Sequence, residues 1–218
     1  MAESCTVAFP WVFTVSANVP QPGNQEGPIE VQLAVSRDRE TWSRPFRTPI
    51  VPLSKPGEWD SGMILTASQA IDVGDEVWLY YAGHNCTHAG TLDDAIEPGT
   101  KSKDTGAIGL ATWKKDRFAS AAGPATGGTL TTVPLRFDGK RLEINAKAKP
   151  QGAVGVELLD PAGRPLPGLG LSEPITGDSL KHAVVFPGKG ELAALAGKPI
   201  CLRFHLHDAE LFAFAFRN

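Results

Sequence analysis

The sequence lacks the long apolar runs and the basic surplus that would each define a class of protein. No apolar run approaches the about 20 residues that a membrane-spanning helix needs. Residues 1–5 carry no basic segment followed by a hydrophobic core, so a secretory signal peptide is not predicted. The net charge is -3, which gives no electrostatic reason to expect binding to nucleic acid or to an anionic membrane.

Paired cysteines and the familiar catalytic motifs are missing as well. Cys5, Cys86 and Cys201 are far apart and form no CxxC motif. Their odd number argues against a disulfide framework, although a single bridge stays open. There is no GxSxG motif and no glycine-rich phosphate loop, and we predict no cofactor. Asn85 begins a match to the glycosylation sequon, which matters only in a secreted eukaryotic protein.

Helical periodicity is also absent from the N-terminal part, where no window has apolar residues at i, i+3, i+4 and i+7. The chain instead has 23 glycines and 18 prolines in 218 residues, a content typical of an all-β protein with many turns. This length suits one large or two small domains and is sufficient for a substantial core.

The clearest strand prediction is the run 75–85, in which Val77, Leu79 and Tyr81 point to one face and Trp78 and Tyr80 to the other. It lies between two further predicted strands and follows two earlier ones. These are residues 59–65, 106–112, 29–35 and 6–16, the last being either one strand with a kink at Pro10 or an edge strand.

The domain prediction places a propeller-blade-like β domain in residues 1–120 and a linker rich in small residues in 121–128. A β-sandwich is predicted for 129–218, because short apolar runs alternate there with turn residues. Its predicted strands are 129–134, 141–148, 155–159, 180–186, 200–207 and 210–216, with one short helical turn at 192–196.

Several motifs together carry a resemblance to a known family. In the N-terminal half they are 31–38 (VQLAVSRD), 59–62 (WDSG), 78–81 (WLYY), 106–111 (GAIGLA) and 115–118 (KDRF). In the C-terminal half they are 128–132 (GTLTT), 142–145 (LEIN), 158–160 (LLD), 177–179 (GDS) and 202–205 (LRFH). This combination resembles the last blades and the appended β-sandwich of bacterial five-bladed β-propeller proteins similar to glycoside hydrolase families 32 and 43.

The resemblance implies an all-β fold with a partial β-propeller of one to two blades followed by a C-terminal β-sandwich. Such proteins are around twice this length, so the chain is expected to correspond to their C-terminal part: a truncated reading frame, a fragment or a pared-down natural protein. The parent protein would be secreted or periplasmic. Family members carry their catalytic carboxylates in the first three blades, so no nucleophile or acid is carried over to this chain.

Asp60 is the first candidate catalytic residue, because it stands where the inner strand of a blade would begin. Glycoside hydrolysis requires two carboxylates, about 5 Å apart for retention and about 6.5–9.5 Å apart for inversion. Possible partners, none fixed by spacing, are Asp38, Glu58, Asp93 and Asp94. The structural alternative is a turn aspartate that caps the backbone amides of Ser61 or Gly62.

The loop after the central strand carries His84, Asn85 and His88. Histidines four apart in a loop can bind a metal, hold a sugar hydroxyl or transfer a proton, or they can simply anchor the loop. No third ligand has diagnostic spacing, so no metal site is predicted. The predicted catalytic residues are Asp60 and His88, and the predicted substrate-binding residues are His84, Asn85, Trp59 and Tyr81.

Two further motifs favour structural roles. Residues 36–42 resemble the Asp-box turn of propellers, in which Ser36 and Asp38 fix a hairpin, although Arg39 and Glu40 replace its usual glycine. His205 and His207 alternate on a strand and could ligate zinc, but the polar side of a half-buried strand is the simpler interpretation.

The first functional hypothesis is a carbohydrate-active protein that acts on a glycosidic bond through carboxylates and the histidine-bearing loop, once it has oligomerised. The alternative is a non-catalytic carbohydrate-binding or accessory module, in which aromatic rings stack on sugar faces, or an inactive fragment. The candidate rings are Trp59, Trp78, Tyr80 and Trp113, at least two of which are expected to be core. Because an open blade exposes strand edges and apolar faces, we expect a homo-oligomer formed through the N-terminal domain.

Overall fold

The computed structural model of the protein describes residues 5–18, 25–88, 105–188 and 190–218. The structure is all-β, as predicted, and divides into two compact units, Met1–Lys115 and Asp116–Asn218. Among the described residues the helical element is a single 3₁₀ turn, Leu192–Leu195, where the sequence predicts one short helical turn. No helix in these ranges is both long and apolar enough to cross a membrane.

The first unit contains ten strands in its described part. They are β1 (Thr6–Ala8), β2 (Trp11–Phe13), β3 (Ala17–Asn18), β4 (Gln25–Glu26), β5 (Ile29–Val31), β6 (Ala34–Ser36), β7 (Met63–Thr66), β8 (Ile71–Val73), β9 (Glu76–His84) and β10 (Gly106–Lys114). The main sheet has the order β10-β9-β7-β5-β2, with β8 also paired to β9. Two smaller ladders join β1 to β6 and β3 to β4.

The structure interrupts two strands that the sequence predicts as continuous, 6–16 and 29–35. The two interruptions lie opposite each other in the pairing register. Trp11 pairs with Val31 and Ala8 pairs with Ala34, so one register continues across the gap. Pro10 has no N–H to donate to the ladder. Its carbonyl still accepts a hydrogen bond from the Gln32 amide at 3.1 Å. The expected kink at Pro10 therefore breaks both strands of the pair.

β9 organises the main sheet, because β7 and β8 pair with its two ends on one side and β10 pairs along its other side. A two-residue turn joins β8 to β9, and Gly74 at its first position has a φ of 59°. Glycine adopts this conformation without strain. Val77 and Leu79 are buried while Tyr80 is exposed, which confirms the predicted alternation of faces.

The Asp-box-like turn is built by Asp38. Its Oδ1 accepts hydrogen bonds from the amides of Thr41 at 2.7 Å and Glu40 at 2.9 Å and lies 3.0 Å from the Ser36 hydroxyl. These bonds, that from Thr41 foremost, lower the pKa of Asp38 to about 2. Arg39 occupies a left-handed conformation, with φ 66°, at the place where glycine is usual. The turn thus has the structural role that the sequence favours.

The described residues of the second unit form five strands in one sheet. The strands are β11 (Ala121–Gly123), β12 (Gly128–Thr131), β13 (Arg141–Leu159), β14 (Asp178–Ala183) and β15 (Cys201–Arg217). Their order is β11-β15-β13-β14, and β12 also pairs with β15.

The segment 121–128, expected to be a linker, instead contributes β11 to this sheet, and the boundary between the units falls at Lys115 and Asp116. Ala121 pairs with Leu211 and Gly123 with Ala209. A Cβ on Gly123 would lie 2.3 Å from that of Leu206. The small residues of this segment therefore serve close packing, which composition alone does not distinguish from flexibility.

β13 and β15 each join two strands that the sequence predicts as separate. The β13–β15 register shifts between Ala148 and Ala153, opposite Asp208, which has a φ of 42°. The rings of Phe204 and Phe214 in β15 are only 5.4 Å apart, whereas ten residues of straight strand would separate them by about 33 Å. The sheet therefore folds back on itself, and the buried residues of its described core lie between 137 and 211.

Candidate functional site

The candidate site begins with the pair Asp60 and Tyr81. Asp60 lies in the turn before β7, and Tyr81 lies on the buried face of β9. The Tyr81 hydroxyl donates a hydrogen bond to Asp60 Oδ2 at 3.0 Å. Burial, followed by this bond and the Asp60 charge, raises the pKa of Tyr81 to about 12. Tyr81 therefore stays protonated and continues to donate at every ordinary pH.

The second oxygen of Asp60 is the unusual feature of this pair. Asp60 is 4% exposed, and its Oδ1 has no hydrogen-bond partner within the part of the chain that the structure describes. The structural alternative is not what forms, because the Ser61 amide donates to Glu58 O and the Gly62 amide to His84 O. A buried acceptor left without a donor costs about 1–3 kcal/mol, and a hydroxyl group of a ligand would recover that loss.

Trp59 completes the cluster by stacking on Tyr81, with ring centroids 5.7 Å apart and planes 10° from parallel. Two glycines make room for these two aromatic rings. A Cβ on Gly83 would lie 2.5 Å from both the Trp59 ring and Asp60 Cβ, and one on Gly109 would lie 2.3 Å from the Tyr81 ring. The backbone of β9 and β10 thus approaches both aromatic rings where no side chain would fit.

The loop after β9 is fixed at both ends by residues that the sequence singles out. Asn85 Oδ1 accepts a hydrogen bond from the Thr105 amide at 2.9 Å, and the Asn85 amide donates to Thr105 O. The Thr87 hydroxyl is buried and donates to Glu26 Oε1. The sequon 85–87 therefore has its threonine inside the protein, and Asn85 acts as a loop anchor.

His88 lies in the same loop, four residues after the end of β9, and is exposed. Its amide donates to Gly27 O at 3.1 Å, its Nδ1 lies 3.0 Å from Gln25 O, and its ring lies 4.8 Å from that of Phe13. A carbonyl can only accept, so Nδ1 carries the proton in this contact. In the neutral imidazole Nε2 then holds the lone pair and can act as a base.

The structure brings together only some of the predicted site residues. Trp59, Asp60 and Tyr81 form one cluster. Because side chains alternate along a strand, His84 lies on the same face of β9 as Trp78 and Tyr80, opposite Tyr81. Its carbonyl accepts a hydrogen bond from the Gly62 amide at 2.8 Å, two residues after Asp60.

A buried carboxylate that the sequence reasoning missed is Glu26. β5 and β7 run parallel through the pair Ile29 and Met63, and Glu26 and Asp60 each stand three residues before their strand. Both are buried. An acidic residue followed within two positions by glycine precedes both strands, which is a signal that the sequence does contain.

The partners that the sequence offered for Asp60 are placed elsewhere or lie outside the described residues. Asp38 belongs to the Asp-box-like turn and Glu58 is exposed. Asp93 and Asp94 fall in the range 89–104, outside the described part of the chain.

The four candidate sugar-stacking rings divide into two pairs. Trp59 stacks on Tyr81, and Trp113 stacks on Phe9 at 5.6 Å, so both are packed as expected for core residues. Trp78 and Tyr80 lie on the other face of β9, opposite Tyr81.

The described residues contain no group of three His, Cys, Asp or Glu side chains arranged to hold a metal ion. His205 faces Glu157 at 3.5 Å on the outer side of β15. No disulfide joins Cys5, Cys86 and Cys201 in the described structure.

Comparison with known proteins adds one weak likeness. No protein-family model and no curated protein matches the chain. Among solved structures, the chain is similar to a glycoside hydrolase family 43 arabinoxylan arabinofuranohydrolase from Bacillus subtilis in complex with cellotetraose, with a TM-score of 0.28 and 10% identity. The match covers 100% of this chain and 53% of that enzyme, so the chain spans about half its length. At this TM-score the likeness carries no argument about fold or function.

Proposed function

We propose that this chain is a carbohydrate-active protein resembling glycoside hydrolases, with Asp60 at the centre of its site. The observation that carries the proposal is the Asp60 carboxylate, whose Oδ2 is fixed by Tyr81 while its buried Oδ1 has no partner in the described chain. A carboxylate accepts strong hydrogen bonds from hydroxyl groups, and hydroxyls are the polar groups that a sugar offers.

The surrounding residues supply what this chemistry needs. Trp59 lies beside the carboxylate and is half-buried, and in this proposal the part of its ring that Tyr81 does not cover packs against the apolar face of a sugar ring. Glycosidic bond cleavage uses two carboxylates, and Glu26 is the second buried acid at the starts of the parallel strands β5 and β7. In this proposal His88 exchanges a proton through Nε2, while Asn85 holds its loop in place.

The proposal extends to the fold. The antiparallel order β7–β9–β10 fits the inner part of a propeller blade, and the bent sheet of the second unit takes the place of the appended β-sandwich. Asp60 then stands at the start of a blade's inner strand. We also propose that the chain acts as a homo-oligomer joined through the N-terminal unit.

The test compares Asp60→Asn with Glu58→Gln, which removes an exposed carboxylate two residues away. Each variant is assayed on a panel of chromogenic glycosides at a protein concentration where the wild type is oligomeric. The proposal predicts that the wild type cleaves at least one glycoside. Asp60→Asn should lower its turnover by about 10²-fold or more, and Glu58→Gln should leave it unchanged. Turnover that survives in Asp60→Asn would remove Asp60 from catalysis.

The second candidate is non-catalytic sugar binding at the same site, favoured because glycosidic cleavage needs two carboxylates whereas Asp60 alone among the described residues has a buried side-chain oxygen without a partner. In that case the wild type hydrolyses no glycoside of the panel but binds soluble oligosaccharides in calorimetry, and Asp60→Asn abolishes the binding. A protein that neither cleaves nor binds any sugar of the panel would contradict both candidates and leave the inactive fragment.

A further inference from the structure

The first unit has an apolar surface on the face of its sheet opposite Asp60 and Tyr81, which we call the open face. It consists of Ile71, Val73, Trp78, Tyr80, Ala82, Ile108 and Leu110. Strand register makes these side chains contiguous, because Ile71 pairs with Trp78 and Tyr80 with Leu110, and Ala82 pairs with Ile108. Ile108 is 73% exposed and Tyr80 is 43% exposed.

We propose that the open face is the contact surface of a homodimer in which two copies of this chain pack sheet against sheet. An apolar sheet face is normally buried against another layer, and contiguous exposed apolar patches mark interaction sites. The inference rests on the register and exposure of β8, β9 and β10, and it does not depend on the function proposed for Asp60.

The chemistry of the open face favours a protein partner over a sugar. Its rows are mostly aliphatic, and the polar groups among them are few and dispersed, chiefly the Tyr80 hydroxyl and Thr112, which pairs with Trp78. The indole N–H of Trp78 already donates to Glu76 Oε2 at 2.8 Å. Aliphatic side chains gain most when they pack against other aliphatic side chains, and such groups are present on a second copy of the same surface.

The charges around the face permit two copies to meet. The charged residues at its edge lie at one end, where Glu76 pairs in register with Lys114. Lys115 Nζ lies 3.6 Å from Asp72 Oδ2 at the same end. Positive and negative side chains are therefore balanced within each chain at this end of the face. Two copies that pack together do not bring like charges into contact.

The size of the face sets the expected strength of the dimer. Nine residues of strand at about 3.4 Å each and three strands about 4.8 Å apart give roughly 30 by 14 Å. Two copies would thus bury about 800–900 Å² in total, at the low end for specific contacts. The dimer should accordingly be reversible and depend on concentration.

The experiment is sedimentation velocity over a concentration series with matched lysine variants. Ile108→Lys places a charge on the open face, while Val133→Lys places one at an equally exposed position, 75% against 73%, in the second unit. A second matched pair is Leu110→Lys and Leu130→Lys, at 39% and 41% exposure. Far-UV circular dichroism confirms that each variant is folded.

We expect the wild type, Val133→Lys and Leu130→Lys to dimerise, and we expect the apparent dimer dissociation constant to rise at least tenfold in Ile108→Lys and Leu110→Lys. A wild type that stays monomeric throughout the series would overturn the proposal, as would equal effects of the two lysines in each pair. The same holds if an oligosaccharide quenches tryptophan fluorescence in the wild type but not in Trp78→Phe, because the face would then be a sugar platform.

Discussion

At the scale of single residues, the contact between Asp60 and Tyr81 gives the candidate site a property that can be measured directly. The sequence has two tyrosines, which are adjacent in β9 and point to opposite faces. Only Tyr81 touches Asp60. Replacing Tyr80 with phenylalanine therefore leaves a single tyrosine whose ionisation reports on the site.

In the Tyr80→Phe protein, tyrosinate absorbance at 295 nm should rise with a midpoint near pH 12, the pKa of Tyr81. Adding Asp60→Asn should lower the midpoint part of the way towards about 10, the ordinary value, because the charge disappears while the burial remains. The raised pKa means that Tyr81 stabilises the fold fully below about pH 10. This contribution is lost as the pH rises towards 12.

Circular dichroism recorded along the same titration separates ionisation in the folded protein from alkaline unfolding. An identical midpoint with and without the Asp60 charge, in proteins that remain folded, would show that the hydrogen bond does not form in solution.

The sequence predicts much of this cluster but not its contacts. Asp60, Trp59 and Tyr81 are all expected site residues, yet their meeting depends on the register that sets Met63 against His84, and no local pattern encodes that register. His84 was grouped with Tyr81 although the period of two places them on opposite faces. Glu26 was missed because β4, with two residues, is too short to show a pattern.

At the scale of elements, the hairpin of β9 and β10 depends on two glycines that admit aromatic rings to its backbone. Gly83 faces Trp59 and Asp60, and Gly109 faces Tyr81. Gly106, in the same hairpin, is less crowded, because a Cβ there would lie 3.1 Å from the end of the His84 side chain. The space available for an added Cβ thus increases from Gly109 to Gly83 to Gly106 within one hairpin.

Gly83→Ala and Gly109→Ala should each lower the free energy of unfolding by about 1–3 kcal/mol, the usual cost of overpacking. Gly106→Ala is the matched control and should cost less, because the His84 side chain can rotate away. Urea denaturation followed by tryptophan fluorescence measures all three. Equal stabilities for the three variants would mean that the rings do not pack on the hairpin as described.

Element boundaries show where sequence patterns stop being informative. The predicted strands 141–148 and 155–159 are halves of β13, and 200–207 and 210–216 are halves of β15. The breaks were placed near the true irregularities, at 149–152 and Asp208. An irregularity can end a strand or only bend it. Which of the two occurs depends on the neighbouring strand, because paired strands must bend at the same place.

At the scale of the whole molecule, each compact unit has its own core. The described core of the second unit draws on residues between 121 and 216, and that of the first on residues between 9 and 113. The boundary between Lys115 and Asp116 therefore separates two sets of buried side chains. The composition of 121–128 predicts the domain linker there, because small residues are typical of flexible linkers. The same residues also occur in tightly packed strands.

Residues 116–218 expressed alone should therefore fold, since β11 to β15 and their core lie entirely within this range. We expect a cooperative urea transition and dispersed amide resonances that overlay a subset of those of the full chain. The same fragment begun at residue 129 lacks β11, exposes the edge of β15 around Leu211 and should be less stable. If the 116–218 fragment binds hydrophobic dye and unfolds without cooperativity, it is not an independent folding unit. If both fragments had equal stability, the linker that the sequence predicts would be restored and β11 would not belong to the sheet.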